Sequence, residues 1–373
     1  TEIFTTLKKK YGDARRTTIT QAEPETKEEK EIEFVEPEKC VVVLTESGLV
    51  KRVPTSSFRN QRRNGKGVKT QDDITQAVIR TNTIDSLMVF TDKGRMYRIL
   101  VDNIPSGTNA SKGVPIKSLI EMESFENPTL IYSIYYDTDA KYIVFVTKNG
   151  TIKKTALEEY TKTKKKSGVA AINLREGDEI ASVSLIKDEQ IVLLTEKGMA
   201  IKFKTSEVSP SGRATMGVKG INLGEGDKVV TALPIRNIDD QLAIFSENGL
   251  GKRVKLDEFV TQSRGGKGII NYHTEKYGNV AAISTVNVDE DDIVIISSDG
   301  VIIRIEASSV RVCARPSKGV TVMKIKDDNQ VVTVAAVPHE DEETDELIGE
   351  IVVIPNDGTI SLGYTFSYKH HRK

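Results

Sequence analysis

Residues 143–154 read Ile143-Val144-Phe145-Val146-Thr147-Lys148-Asn149-Gly150-Thr151-Ile152-Lys153-Lys154. An apolar, β-branched run meets a turn-forming Asn-Gly pair, and apolar residues mixed with bases follow. Asn-Gly accepts the positive φ that a tight hairpin between two twisted strands requires. The phrase recurs as Val41–Leu44 with Gly48, Met88–Phe90 with Gly94, Ile191–Leu194 with Gly198, Leu242–Phe245 with Gly249 and Ile293–Ile296 with Gly300. Successive glycines are 46, 56, 48, 51 and 51 residues apart. Each repeat therefore contains a β-hairpin.

A second glycine follows each first one, in the pairs 48/67, 94/113, 150/168, 198/217, 249/268 and 300/319. An apolar β-branched residue comes next every time: Val68, Val114, Val169, Val218, Ile269 and Val320. A second turn thus leads into another strand. Six units of this length with several short strands each predict an all-β ring of six four-stranded blades, since closure covers both faces of every blade and leaves few edges. An open β-solenoid is the alternative, but its repeats are usually shorter.

Outside the repeats, residues 1–16 suit the end of a helix, with Lys8–Lys10 near its C-terminus where the dipole favours cations. Residues 21–39 carry eight acids, three bases, Pro24 and Pro37, and read as a linker in which Ile32–Val35 makes a short strand. Residues 339–350 carry seven acids and no base, and a seventh hairpin phrase follows, Ile351–Ile354 with Gly358. The expected division is 1–39 as the end of a helical region plus acidic linker, 40–338 as the repeat domain, and 339–373 as an acidic tail with an extra hairpin. The chain opens Thr1-Glu2-Ile3 with neither Met nor signal peptide, so a fragment of a longer protein is expected.

Composition, 38% hydrophobic and 29% charged among 373 residues, is that of a soluble globular chain, and no apolar run nears the ~20 residues of a membrane span. Cys40 and Cys313 are too isolated to make a zinc site; they suit a reducing cytosol and read as ordinary strand residues. His273 and His339 belong to no acid–base or metal constellation, so neither a catalytic residue nor a metal ligand is expected.

The formal net charge of −1 conceals an uneven distribution: residues 40–338 hold 42 bases against 36 acids, a net +6 able to attract a polyanion. Four residues past each hairpin glycine stand Arg52, Arg98, Lys154, Lys202, Arg253 and Arg304. All six are basic, although only about one residue in seven of the chain is Lys or Arg, so they are expected as a ring of charge on one surface. One position earlier stand Lys51, Tyr97, Lys153, Ile201, Lys252 and Ile303, a Lys in every odd unit, and the sequence offers no reason for the alternation.

The second turn is basic as well. Unit 1 has Gln61-Arg62-Arg63-Asn64-Gly65-Lys66-Gly67, unit 5 has Gln262-Ser263-Arg264-Gly265-Gly266-Lys267-Gly268, and unit 3 has Lys162, Lys164, Lys165 and Lys166 before Gly168. Closely spaced glycines let backbone approach a phosphate while Arg and Lys supply charge. No phosphate-binding loop of the nucleotide-hydrolase type is present.

Gln61–Gly67 resembles the gyrase A box, Gln-Arg-Arg-Gly-Gly-Lys-Gly, with Asn64 in place of one glycine. Residues 262–268 are a second near-match in which Ser263 replaces an Arg. The segment Lys8–Thr17 looks like the junction before that domain. Over about 40–338 the chain is therefore similar to the C-terminal, DNA-wrapping domains of DNA gyrase A subunits. The resemblance implies a six-bladed β-pinwheel whose blades exchange strands, with duplex DNA wrapped non-specifically round its rim. It implies, as partners, the gyrase A N-terminal cleavage domain and the gyrase B subunit in a cytoplasmic, nucleoid-associated bacterial enzyme. ATP and Mg would be bound by other domains of that enzyme, leaving this portion without catalysis or cofactor of its own. DNA binding is expected at Gln61–Gly67, at Gln262, Arg264, Gly265, Gly266, Lys267 and Gly268, and at the six-residue ring. The sister topoisomerase IV domain and a protein-interaction propeller are the alternatives.

Overall fold

The six apolar runs become hairpins whose strands are covered on both faces. The computed structural model describes residues 2–12, 34–55, 68–69, 75–108, 110–135, 138–161, 167–326, 329–339 and 352–353. The hairpins are Lys39–Thr45 with Leu49–Pro54, Ser86–Thr91 with Arg95–Leu100, Tyr142–Thr147 with Thr151–Ala156, Gln190–Thr195 with Met199–Lys204, Gln241–Ser246 with Leu250–Lys255, and Asp291–Ser297 with Val301–Glu306. They head blades 1 to 6 in that order. Each turn opens on Thr or Ser, and in the first hairpin the Thr45 carbonyl accepts the Gly48 N–H at 2.9 Å while its hydroxyl accepts the Leu49 N–H at 3.1 Å.

A longer strand from the same unit pairs antiparallel with the first hairpin strand: Thr75–Asn82, Pro128–Ile134, Ile180–Ile186, Val229–Ile235, Val280–Val286 and Val331–Pro338. These six strands neighbour one another from blade to blade and line the axis. The fourth, outermost strand of each blade is only two residues long and comes from the following unit. Val114–Pro115 pairs with blade 1, Val169–Ala170 with blade 2, Val218–Lys219 with blade 3, Ile269–Ile270 with blade 4 and Val320–Thr321 with blade 5. Val68–Lys69 of unit 1 closes the circle on blade 6, in the register Val301↔Lys69 and Ile302↔Val68. The expected six-bladed, four-stranded ring is thus observed, and the strand after each second glycine completes the neighbouring blade rather than its own.

Alternation along each strand explains the continuous apolar runs, because side chains of neighbouring residues point to opposite faces. Ile143 and Phe145 of blade 3 pack on Met88 and Phe90 of blade 2, where the two phenyl rings meet edge to face at 5.5 Å. Val144 and Val146 of the same strand pack on Ile191 and Leu193 of blade 4. The series closes with Val294 and Ile296 of blade 6 against Val41 and Val43 of blade 1. Six inter-blade cores replace a single central one, and each buried Val, Ile or Leu stabilises by about 1.5–3 kcal/mol.

In the flanks, Glu2–Tyr11 is a helix with Lys8, Lys9 and Lys10 in its last turn. Phe34–Val35 pairs antiparallel with Val352–Val353; the rest of the seventh hairpin phrase lies outside the described residues. Among the described residues no helix is long and apolar enough to cross a membrane. Cys40 lies buried on a strand as expected, whereas Cys313 sits in an outer loop, where its N–H donates to the Arg253 carbonyl at 2.9 Å.

The hairpin glycines also fasten blade to blade. Gly198 has φ +80°, and its carbonyl accepts the N–H groups of Asn271 (2.8 Å) and Tyr272 (3.1 Å) from the next unit. A Cβ there would lie 2.3 Å from the Tyr272 carbonyl oxygen. Gly198→Ala is therefore expected to destabilise the ring by more than about 2 kcal/mol, from left-handed backbone plus overlap. A urea midpoint within error of wild type would contradict this account of the turn.

Candidate nucleic-acid interface

The six bases four residues past the hairpin glycines do not form an exposed stripe, and that expectation is corrected. Lys154, Lys202, Arg253 and Arg304 are buried, and Arg52 and Arg98 nearly so. The cause is strand exchange: the segment leaving the next unit's 3-10 turn crosses over this position and pairs with it. Arg52 bridges Ser106, Lys154 bridges Pro210, Lys202 bridges Thr261 and Arg253 bridges Val312, all parallel. The side chains then donate to carbonyls of the crossing segment. Lys154 Nζ reaches Thr205 O at 2.8 Å, Lys202 Nζ reaches Leu256 O at 3.2 Å, Arg52 Nε reaches Ile104 O at 3.2 Å, and Arg253 Nε reaches Val310 O at 2.6 Å. Arg98 donates to the Ser86 hydroxyl at 3.0 Å and the Thr161 carbonyl at 3.4 Å. Arg304 is held within its own blade, by the Asp292 carboxylate at 2.8 Å and the Pro338 carbonyl at 2.7 Å. At five of the six positions the long cation thus gives a carbonyl of the following unit a buried donor where two units cross.

The lysines one position earlier are buried too. Lys153 donates to the carbonyls of Ala171 (2.6 Å) and Arg213 (2.5 Å), Lys252 to those of Asn271 (2.8 Å) and Arg315, and Lys51 to those of Ser111 (2.8 Å) and Thr108 (3.3 Å). Burial disfavours the charged amine and pushes Lys153 and Lys252 down to about 8.

Exposed charge lies instead on the outer loops before the second glycines. The unit 1 loop, Gln61–Gly67, and Lys162–Lys166 of unit 3 lie outside the described residues. The unit 5 loop shows the arrangement in full. Gln262 N–H donates to Lys202 O at 2.7 Å and Gly265 N–H to Gly220 O at 2.8 Å, which seats the loop on blade 4 and against the unit 4 loop. Gly265 and Gly268 have φ near +80°. A Cβ on Gly268 would stand 2.4 Å from Ala200 O, so the close approach requires glycine. Lys267 is exposed. Arg264 is half-buried: its N–H donates to the Glu207 carboxylate at 2.9 Å, and its guanidinium to Lys219 O at 2.5 Å and Glu207 O at 3.3 Å.

Aligning the units on the second glycine adds Lys112, Arg213, Arg315 and Lys318 to the bases already noted in these loops. Four residues before the second glycine stand Arg63, Asn109, Lys164, Arg213, Arg264 and Arg315, and one residue before it stand Lys66, Lys112, Ser167, Met216, Lys267 and Lys318. The signal was available by counting backwards from the second glycine rather than forwards from the first. Arg315 repeats the posture of Arg264: its N–H donates to Glu258 at 3.0 Å and its guanidinium to Ile270 O at 3.2 Å. Arg213 donates to Glu159 O at 3.3 Å. Each rim arginine thus reaches back to the preceding unit's loop, which holds the guanidiniums in series along the rim while leaving them partly exposed. Among the described residues no group of three or more His, Cys, Asp and Glu could hold a metal.

Comparison with known proteins adds to this geometry. The family described as DNA gyrase C-terminal domain, beta-propeller, matches at residues 41–75, 85–119, 141–187, 189–236, 240–287 and 291–338, one segment per unit. The DNA gyrase A subunit of Staphylococcus epidermidis is 35% identical over 348 residues, covering 91% of this chain and 38% of that protein. Its counterpart in Clostridium acetobutylicum is 36% identical over 343 residues, 90% of this chain and 41% of that protein. The chain spans about two fifths of the length of these relatives. A solved DNA gyrase A C-terminal domain superposes with a TM-score of 0.72 at 28% identity, covering 80% of this chain and 99% of that one. A topoisomerase IV C-terminal domain superposes with a TM-score of 0.62 at 29% identity, covering 83% and 96%.

The buried lysines carry a pH signature. Their folded value, about 8, lies below the ordinary lysine value of 10.5, so the unfolded chain binds more protons between the two. Stability contributed by Lys153 and Lys252 is therefore lowest below pH 8 and rises with pH through that window. Relative to wild type, Lys153→Met/Lys252→Met should show a smaller rise in urea midpoint between pH 7.5 and 9.5. Parallel pH profiles for the two proteins would refute it.

Proposed function

Since the chain belongs to the DNA gyrase C-terminal domain, beta-propeller, family, we propose that it binds duplex DNA round its rim and bends it into a wrap. The observation that supports this reading most is the serial placement of rim arginines. Arg213, Arg264 and Arg315 occupy one equivalent position in three consecutive units, each oriented by the loop before it, with Lys267 and Lys318 exposed beside two of them. A one-sign series at the pitch of the blades matches a phosphate backbone following a curve. It reads charge and shape rather than base edges, since no helix or ribbon among the described residues is presented so as to enter a groove.

Magnitude explains why a series is needed. Bending 20–30 base pairs by 40–90° costs about 1–6 kcal/mol, more than a single loop offsets, while each neutralised phosphate contributes through counterion release. Arg62, Arg63 and Lys66 extend the series into the unit 1 loop, and Lys164 into unit 3. On this reading residues 40–338 are the DNA-binding unit, and 1–39 and 339–373 are its flanks. Within a complete gyrase, together with the N-terminal cleavage domain of the A protein and with the B protein, the wrap would give strand passage its direction towards negative supercoils. ATP and Mg chemistry would then reside on those other parts, in the bacterial cytoplasm at the nucleoid. The likeness to a topoisomerase IV C-terminal domain, 29% identical with a TM-score of 0.62, supports a second reading, DNA binding without a full wrap.

Ligation of nicked circular DNA with the chain bound distinguishes them. Wrapping shifts the linking number, and Arg62→Ala/Arg63→Ala/Lys66→Ala should abolish the shift. Affinity should fall steeply with salt, by about 0.9 in log K per log unit for each phosphate neutralised. Tight binding with no shift would favour the second reading, and no binding at low salt would dispose of both.

A further inference from the structure

The alternation between lysine and an apolar or aromatic residue, three positions past the hairpin glycine, coincides with an alternation in the loops above it. Because strands are exchanged, the loop of each unit rests on the blade before it. The loops of units 2, 4 and 6 therefore lie over Lys51, Lys153 and Lys252, while Gly168 of unit 3 lies over Tyr97 and the unit 5 loop over Ile201.

The two sets differ in sequence. Two residues before the second glycine the even loops carry Ser111, Thr215 and Ser317, and the odd loops Gly65, Lys166 and Gly266. In the even loops this residue closes a turn. Ser111 N–H donates to Thr108 O at 3.1 Å, Thr215 N–H to Gly212 O at 3.3 Å, and Ser317 N–H to Ala314 O at 3.0 Å. The turn aims a carbonyl inward, and the buried ammonium meets it. In units 4 and 6 that carbonyl belongs to the rim arginine itself, Arg213 or Arg315. The unit 5 loop instead lays glycine backbone on an apolar side chain: a Cβ on Gly266 would lie 3.5 Å from Ile201 Cδ1.

We propose that Lys153 and Lys252 are positioning residues for DNA contact, buried ammonium groups that fix the main chain of Arg213 and Arg315 from beneath and so set where their guanidiniums stand on the rim. Lys51 holds the main chain of the unit 2 loop through Thr108 O and Ser111 O, although that loop carries no rim arginine. Among the described loops the rim then has two kinds of support, turns pinned by a buried cation in units 2, 4 and 6 and a glycine-rich loop lying on an apolar side chain in unit 5. A second cation beneath the glycine-rich loops would add repulsion to those already on them. This inference rests on the DNA-binding reading above.

Removing the ammonium takes the buried donor from the carbonyl of Arg213 or Arg315, whereas Ala171 O keeps the Tyr160 hydroxyl at 2.8 Å. A loop that loses that bond must shift to hydrate its carbonyl. Methionine matches the volume, and replacing a buried charge by an apolar side chain is often neutral for folding. The test is duplex affinity of the full chain as a function of salt, for Lys153→Met, Arg213→Gln and the double variant. Lys252→Met with Arg315→Gln provides an independent set on another blade should one methionine variant fail to fold.

We expect Lys153→Met to lower the salt slope by about 0.9, as Arg213→Gln does, although its ammonium lies out of reach of any phosphate. The double variant should bind no more weakly than the single variants, and Lys153→Gln, which keeps an amide donor, should recover part of the loss. Wild-type affinity and slope in both methionine variants would overturn the proposal, as would losses that multiply in the doubles. Loss of binding in Arg62→Ala/Arg63→Ala/Lys66→Ala, with none in the lysine variants, would refute this inference alone. Failure of the wild-type chain itself to bind duplex at low salt would refute the DNA-binding reading with it.

Discussion

Everything in this molecule depends on a two-residue strand pairing with a neighbour. Each unit supplies three strands to its own blade and sends a fourth, such as Val218–Lys219, to the blade before it. The exchange covers the outer edge of every blade and draws a crossing segment over the second hairpin strand. That crossing in turn creates the local polar problem, carbonyls buried at a junction of two chain segments. Lys154, Lys202 and Arg253 answer it with donors long enough to reach them. The rim loops are what remains of the crossing segment once it emerges, so their placement is inherited from the exchange rather than built separately.

This dependence explains what could be read in the sequence. The hairpin glycines and the strand after the second glycine lay at fixed offsets because each answers a local backbone demand. The six blades followed from them, and the cores were legible as runs because each strand alternates between two neighbours. Burial of the six-residue basic ring was not legible. A repeated Lys or Arg looks the same whether it faces phosphate or a carbonyl, and the deciding fact, a chain crossing above it, comes from the following unit, as Ser106 does over Arg52. The lysines at 51, 153 and 252 were unexplained for the same reason, since each has a partner in the following unit's loop, Ser111, Arg213 or Arg315. Of the candidate interface, the unit 5 loop was found by its glycines, while Arg213 and Arg315 were missed because their loops lack that glycine pattern.

The charge of the chain divides accordingly into two populations with opposite surroundings. Bases at the crossings are desolvated and spend their hydrogen bonds on main chain; bases on the rim loops retain water and a partial exposure. Only the second population can exchange its contacts for phosphate without dismantling a blade. The acids of the repeats include Glu207 and Glu258, whose carboxylates accept the main-chain N–H of Arg264 and Arg315, and Glu159, whose carboxylate stands 4.0 Å from the Arg213 guanidinium. A nearly neutral chain can thus present a cationic edge, since its acids act as braces behind that edge and as flanks beyond it.

Closure of the ring by Val68–Lys69 on blade 6 has a consequence for how the chain comes into being. The two partners, Val68 and Ile302, are separated by most of the domain. At roughly 5–20 residues per second, a ribosome that has made the first partner needs on the order of ten seconds to a minute to deliver the second. Throughout that interval unit 1 has a strand without its blade, and blade 1 has one face, that of Val41 and Val43, without its cover. Blades 1 to 5 can each be completed as the next unit emerges, but the sixth must wait for the oldest part of the chain. The final step of folding is therefore a long-range one that joins the beginning of the domain to its end, and a nascent or truncated chain lacking the last unit exposes an apolar sheet face until it is finished.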